Sequence, residues 1–224
     1  MLVLLTGCAS GSHREYPVNP MYGDSLQGLV PQGQLQMTRS TITGAGTKKL
    51  ALVRSANVAS ALAYNAEVLE WRRWATATYT DVDQQPLLNQ IAEQVSADKL
   101  LLESLLTPLR SSFREVVLAA DVVEGFQNGA DYVGIFDLQS SLTDRMSKYI
   151  PGPIDYDYVS RVSVIFIDRL LTAGPDVRAD VTTKTYGQPL GANANTRMAL
   201  SKLQENRVAT VNEFDKKIRA AVKR

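Results

Sequence analysis

The chain has little of what most catalytic and metal sites are made from. Among its 224 residues there is one cysteine, Cys8, and one histidine, His13. A lone cysteine excludes internal disulfides and cysteine-rich metal sites. With His13 the sole imidazole, and placed in a Gly- and Pro-punctuated leading segment, neither a Ser-His-Asp triad nor a multi-histidine zinc site can be assembled in the folded part. No metal and no soluble cofactor is therefore expected. Charge of one sign is missing too. The 24 basic and 23 acidic residues leave a net charge of +1, which removes the basic footprint of a nucleic-acid binder. After Met1–Thr6 no apolar run approaches the roughly 18–20 residues that cross a bilayer as a helix. Asp121, Asp131, Asp137 and Asp168 are spread over the predicted elements, and paired-carboxylate chemistry depends on a separation that sequence does not supply, so no carboxylate pair is assigned. No catalytic residue is assigned, and an enzyme is the least favoured reading.

What is present is enough apolar residue, 45% of the chain, to bury the core of one domain. The first stretch, Met1-Leu2-Val3-Leu4-Leu5-Thr6-Gly7-Cys8, resembles the end of a bacterial lipoprotein signal, with Leu5-Thr6-Gly7-Cys8 as its lipobox. An apolar segment enters the bilayer, small residues let a peptidase reach the backbone, and the thiol accepts the diacylglycerol. The resemblance implies a signal segment over 1–8 and a lipid (diacylglycerol plus palmitate-type acyl) on Cys8. Ala9, in place of the aspartate associated with inner-membrane retention, implies an outer-membrane anchor with the domain facing the periplasm. More than one acyl chain would hold it durably.

Residues 9–34 carry Gly11, Pro17, Pro20, Gly23, Gly28, Pro31 and Gly33 without apolar periodicity, which reads as a flexible tether. Its Tyr16, Met21, Tyr22, Leu26, Leu29 and Val30 are apolar enough to dock on the domain. Residues 35–224 are expected to form a single domain. Gln34–Ile42 and Lys49–Val53 alternate as strands around a Thr43–Gly46 turn, and Asn57–Thr78 has helical spacing. That helix ends in Trp71-Arg72-Arg73-Trp74, the most unusual surface candidate in the chain. The cluster admits three readings: indoles in the core with both arginines outside, a membrane-interface patch suited to headgroups, or a subunit interface.

Pro86 can open a second helix, near Asp83 as a cap, ending or kinking at Pro108. A short buried strand at Glu115–Ala119, a helical turn from Asp121 to Asn128 stopped by Gly129, and a central strand over Ala130–Leu138 follow. This succession resembles the fold of periplasmic lipoproteins such as the curli-secretion protein CsgG, and of the amino-terminal domain of TolB. The likeness rests mainly on Gly129-Ala130-Asp131-Tyr132-Val133. It implies an α+β architecture, an α/β sandwich with a mixed, largely antiparallel sheet and helices packed on it, and carries no functional residue across.

Thr143–Asp157 reads as a long loop in which Asp155-Tyr156-Asp157-Tyr158 offers an interaction surface through Tyr156 and Tyr158, with too few oxygen ligands at fixed spacing for calcium; the plainer alternative folds these tyrosines against the sheet. Tyr158–Leu171 and Val177–Tyr186 alternate as a hairpin about a Thr172–Asp176 turn. From Thr196 the chain is expected to be a long amphipathic C-terminal helix, with an apolar stripe of Val208, Val211, Phe214, Ile218 and Val222 and a basic outer face that includes Lys202 and Arg207.

These features are read as a non-catalytic envelope lipoprotein serving assembly or secretion, with protein partners and a homo-oligomeric form expected. The alternative is a periplasmic ligand-binding or accessory module using Trp71, Trp74, Tyr156 and Tyr158 as stacking surfaces.

Overall fold

The fourteen-residue strand from Tyr132 to Arg145 is the one around which the rest is arranged, and its residues Val133 to Leu138 are buried on both faces. The computed structural model describes residues 14–30, 36–37, 41–79, 84–145, 155–186 and 192–224. Its elements are β1 (Gln36–Met37), β2 (Lys49–Arg54), α1 (Ala56–Tyr79), α2 (Gln85–Ser112), β3 (Glu115–Ala119), α3 (Val122–Gln127), β4 (Tyr132–Arg145), β5 (Asp155–Asp168), β6 (Thr172–Tyr186) and α4 (Ala192–Ala221). They make an α+β fold on one sheet of order β1-β6-β5-β4-β2-β3. The long β4–β5 and β5–β6 pairings are antiparallel, and the short β1–β6, β2–β3 and β2–β4 pairings are parallel.

One face of the sheet is covered by helices. α1 lies on β4, α4 lies on β5 and β6, and α2 packs against both helices. Leu50, Leu52, Phe136, Val164 and Phe166 of the sheet meet Val58, Leu105, Leu109, Phe214 and Ile218 of the helices in one buried cluster, each contributing roughly 1.5–3 kcal/mol of burial. The opposite face is covered only at one end. There Ala51, Val53, Val133, Ile135 and Ile165 are roofed by α3 and by Leu26, Leu29 and Val30.

The inner stripe of α1 explains its weak apolar periodicity. Asn57, Val58, Ala61, Tyr64, Asn65, Val68, Leu69, Arg72 and Thr76 are all buried. Four of these nine positions are polar, so the 3.6-residue period is one of burial rather than of hydropathy.

Several expectations are corrected. The loop read over Thr143–Asp157 is much shorter, because β4 and β5 stay paired out to Arg145 and Asp155. The β5–β6 turn is Arg169–Leu171, with Leu171 at φ 60, tightened by Asp168, whose carboxylate accepts from the Leu170 and Thr172 N–H groups at 2.9 Å each. Gly174 and Pro175, read as that turn, instead lie inside β6. The register steps from Ile165↔Asp176 to Ile167↔Ala173, so the two residues form a bulge, the one place in a strand interior where such a pair is tolerated. Helix α2 runs through Pro108 to Ser112. Buried Leu105, Leu106 and Leu109 bracket the proline and outweigh its missing hydrogen bond. Strand β3 is an edge strand with partly exposed side chains, and Leu118 is 57% exposed. Helix α4 starts at Ala192, ahead of the expected Thr196. Its stripe loses Val208, which is 49% exposed, while Arg207, expected on the outer face, is buried.

Candidate functional site

Strand β2 ends at Arg54, but β4 continues for nine more residues, which leaves the β2-side edge of β4 without a strand. The leading segment fills that gap. The Tyr22 hydroxyl donates to the Ser140 carbonyl and accepts from the Ser140 N–H at 2.8 Å. Tyr16 and Tyr64 both donate to the Leu142 carbonyl, at 2.8 and 2.9 Å. Asn57 clasps Gly23 from both sides, accepting its N–H at 3.1 Å and donating to its carbonyl at 3.0 Å. The residues read as a flexible tether are therefore, from Arg14 to Val30, a strap that supplies side-chain hydroxyls to an edge that would otherwise invite pairing. Burial raises the Tyr22 and Tyr64 phenols, Tyr64 to about 12, which keeps them as donors.

Beside the strap a groove of about 570 Å³ opens on the uncovered half of the sheet. Its walls are Gly23, Asp24 and Ser25 of the strap, and its floor holds Asp137, Gln139, Arg161, Arg178, Asp180 and Thr182. Asp137 is the one buried carboxylate there. Ser55 donates to it, as do Asn57 at 2.9 Å and Gln139 at 3.0 Å. Arg161 meets Asp180 across the strands at 3.4 Å, and Arg178 holds Asp176 at 2.7 Å; that hydrogen bond, with the charge behind it, raises the Arg178 guanidinium. The groove thus carries charges of both signs, Asp24, Asp137 and Asp180 with Arg161 and Arg178, and suits a polar ligand bound through several hydrogen bonds. No signal in the sequence pointed to it, because its residues come from four separated segments.

The sequence-derived candidates are dispersed by the fold. Trp71 and Trp74 are half-buried near the far end of α1, with ring centroids 6.3 Å apart. Trp71 meets Tyr16 edge-on at 4.9 Å and donates its indole N–H to the Arg14 carbonyl at 3.0 Å. Arg73 is exposed and pairs with Glu70 at 3.0 Å, which also faces Arg14 at 3.9 Å. Arg72 departs from the reading that set both arginines outside. It is 5% exposed and donates to the Tyr158 hydroxyl at 3.3 Å. Tyr158 and Tyr156 lie in β5 rather than on a loop, paired with Leu142 and Thr183 and with Asp144 and Thr185 respectively. Tyr158 is fully buried, so it offers no stacking surface. Cys8 lies outside the described residues.

Behind Tyr158 a buried polar network joins the sheet to three helices. Asn206 accepts from Ser160 at 2.6 Å and donates to the Tyr158 carbonyl at 3.0 Å. Asn65 accepts from Ser140 at 2.8 Å and donates to Asp98 at 3.2 Å. Asp98 in turn holds Arg207 at 2.8 Å, and Arg207 reaches Gln94. Burial pushes the Asp98 carboxyl up and the Arg207 guanidinium down, and their contact opposes both shifts. Among the described residues no group of acidic, histidine or cysteine side chains is arranged to hold a metal ion, and no helix is long and apolar enough to cross a membrane.

No protein-family model matches the chain, and a search of curated proteins finds no match. Among solved structures, a dodecamer of a PelC variant from Paraburkholderia phytofirmans is similar at 14% identity, over 79% of this chain and 95% of that one, with a TM-score of 0.26. A likeness that loose transfers neither fold nor function.

Proposed function

We propose that this chain is a non-catalytic lipoprotein of the bacterial outer membrane, anchored through acylated Cys8 with its domain in the periplasm, and that it serves as an assembly or secretion component, as a homo-oligomer and with other envelope proteins as partners. The observation that carries this reading is Leu5-Thr6-Gly7-Cys8 in a chain with a single cysteine. The architectural resemblance to CsgG and the TolB amino-terminal domain belongs to the same proposal. The state of the carboxylates supports a non-catalytic role. Asp121 caps α3 through the Glu124 N–H at 2.8 Å, Asp131 accepts the Lys49 N–H at 2.8 Å, Asp168 tightens the β5–β6 turn and Asp137 accepts from three side chains.

Mass spectrometry of the membrane fraction is expected to find lipid on Cys8, with Cys8→Ala releasing the protein to the soluble fraction. A Cys8→Ala protein that stays fully membrane-bound refutes the anchor. The groove beside Asp137 favours a second reading, a module that holds a polar ligand. A monomer whose melting temperature rises with an added ligand would favour it over the assembly role.

A further inference from the structure

We propose that the Trp71/Trp74 end of α1, with Arg73 and the strap residue Arg14, is a lipid-contact surface that lies on the headgroups of the membrane to which the chain is tethered. This rests on the reading of Cys8 as the anchor. The strap fixes where the anchored end of the chain enters the domain. From Gly23 towards the N-terminus it runs along β4, with Gly23 at Asn57, Tyr22 at Ser140, Tyr16 at Leu142 and Arg14 at Trp71. From Arg14 back to Cys8 is 14 minus 8, six residue steps, which span at most roughly 22 Å when fully extended. A lipid on Cys8 therefore keeps Arg14, against which Trp71 is seated, within that distance of Cys8.

The chemistry at that place fits the headgroup layer. Half-buried indoles favour the membrane–water interface through the apolar faces of their rings, while the Trp71 N–H stays held by the Arg14 carbonyl. Arg14 and Arg73 flank Glu70 and offer guanidinium groups to the phosphates of an anionic lipid surface. The strap beside them exposes Val18 at 87% and Met21 at 99%, apolar area for which the domain provides no cover.

The chain contains only these two tryptophans, so tryptophan emission, excited at wavelengths tyrosine does not absorb, reports on this surface alone. The full chain, unacylated, is coupled through the Cys8 thiol to maleimide-bearing vesicles of phosphatidylethanolamine and phosphatidylglycerol whose acyl chains are brominated near the glycerol end. Tryptophan emission is expected to fall by roughly half relative to unbrominated vesicles, and Arg73→Glu to weaken that loss. Emission unchanged on brominated vesicles overturns the proposal. So does emission that shifts with protein concentration in the absence of lipid, which would place a second copy on the patch. Because the coupling is chemical, this result stands apart from natural acylation. An acyl-free Cys8 in envelope preparations refutes the anchor reading, whereas loss of quenching in the coupled chain refutes the surface.

Discussion

At the scale of single residues, the mainly apolar interior also holds paired polar side chains that fix how the layers meet. Asp98 and Arg207 are both buried between α2 and α4, where each charge is tolerated because the other is 2.8 Å away. Arg207→Ala removes one partner and leaves a buried carboxylate, and is expected to cost on the order of 3–5 kcal/mol, read as a lower urea midpoint. The double replacement Asp98→Leu with Arg207→Met is expected to recover most of that loss, since no unpaired charge remains. Tyr64 gives a pH signature. Its phenol is raised from 10.0 to about 12 by burial, so the unfolded chain ionises it first. The stability it contributes is complete below pH 10 and is lost as pH rises towards 12. Denaturation followed through that window is expected to show a shallower loss for Tyr64→Phe than for the parent chain.

At the scale of elements, two close approaches set how the layers fit. Helix α3 rests on the sheet through Gly125, where an added Cβ would stand 2.8 Å from a Val133 methyl and 2.9 Å from the Ala51 Cβ. Gly125→Ala is expected to destabilise the fold by about 1–3 kcal/mol in thermal or urea melts, because neither neighbour can withdraw. The strap meets β4 through Tyr22. Tyr22→Phe leaves the Ser140 N–H and carbonyl without their partner, at a cost of about 1–3 kcal/mol. It is expected to speed hydrogen exchange at the Ser140 amide and to open the strap to proteases, while amides in the β5–β6 ladder keep their protection.

The elements also show what could be read in advance. Helix α1, β3, α3 and the start of β4 were legible, since each is set by local spacing, by the Asp121 cap or by Gly129, which sits at φ 79. The far half of β4, the whole of its pairing with β5 and the Gly174-Pro175 bulge were not. A bulge uses the same residues as a turn, and only the partner strand distinguishes the two. Arg72 and Arg207 misled for a related reason: an arginine is placed outside by default, and only a partner from another element can bring it in.

At the scale of the whole molecule, the three-stranded upper part of the sheet, helix-covered on one face and open to the groove on the other, leaves a polar surface next to the point where the strap enters. For the assembly role proposed above, size-exclusion light scattering of the detergent-solubilised protein is expected to give one defined multimer. A monomer at all concentrations would shift the balance to the ligand-holding role. By itself the sequence determined the composition limits, the α+β class and most of the local elements, because those follow from residue type and short-range spacing. Only the tertiary structure decided that the tether is a strap, that Tyr158 and Arg72 are interior and that Asp137 floors a groove. Each of these depends on hydrogen bonds between residues some 80 to 120 positions apart, a separation over which the sequence carries no local pattern.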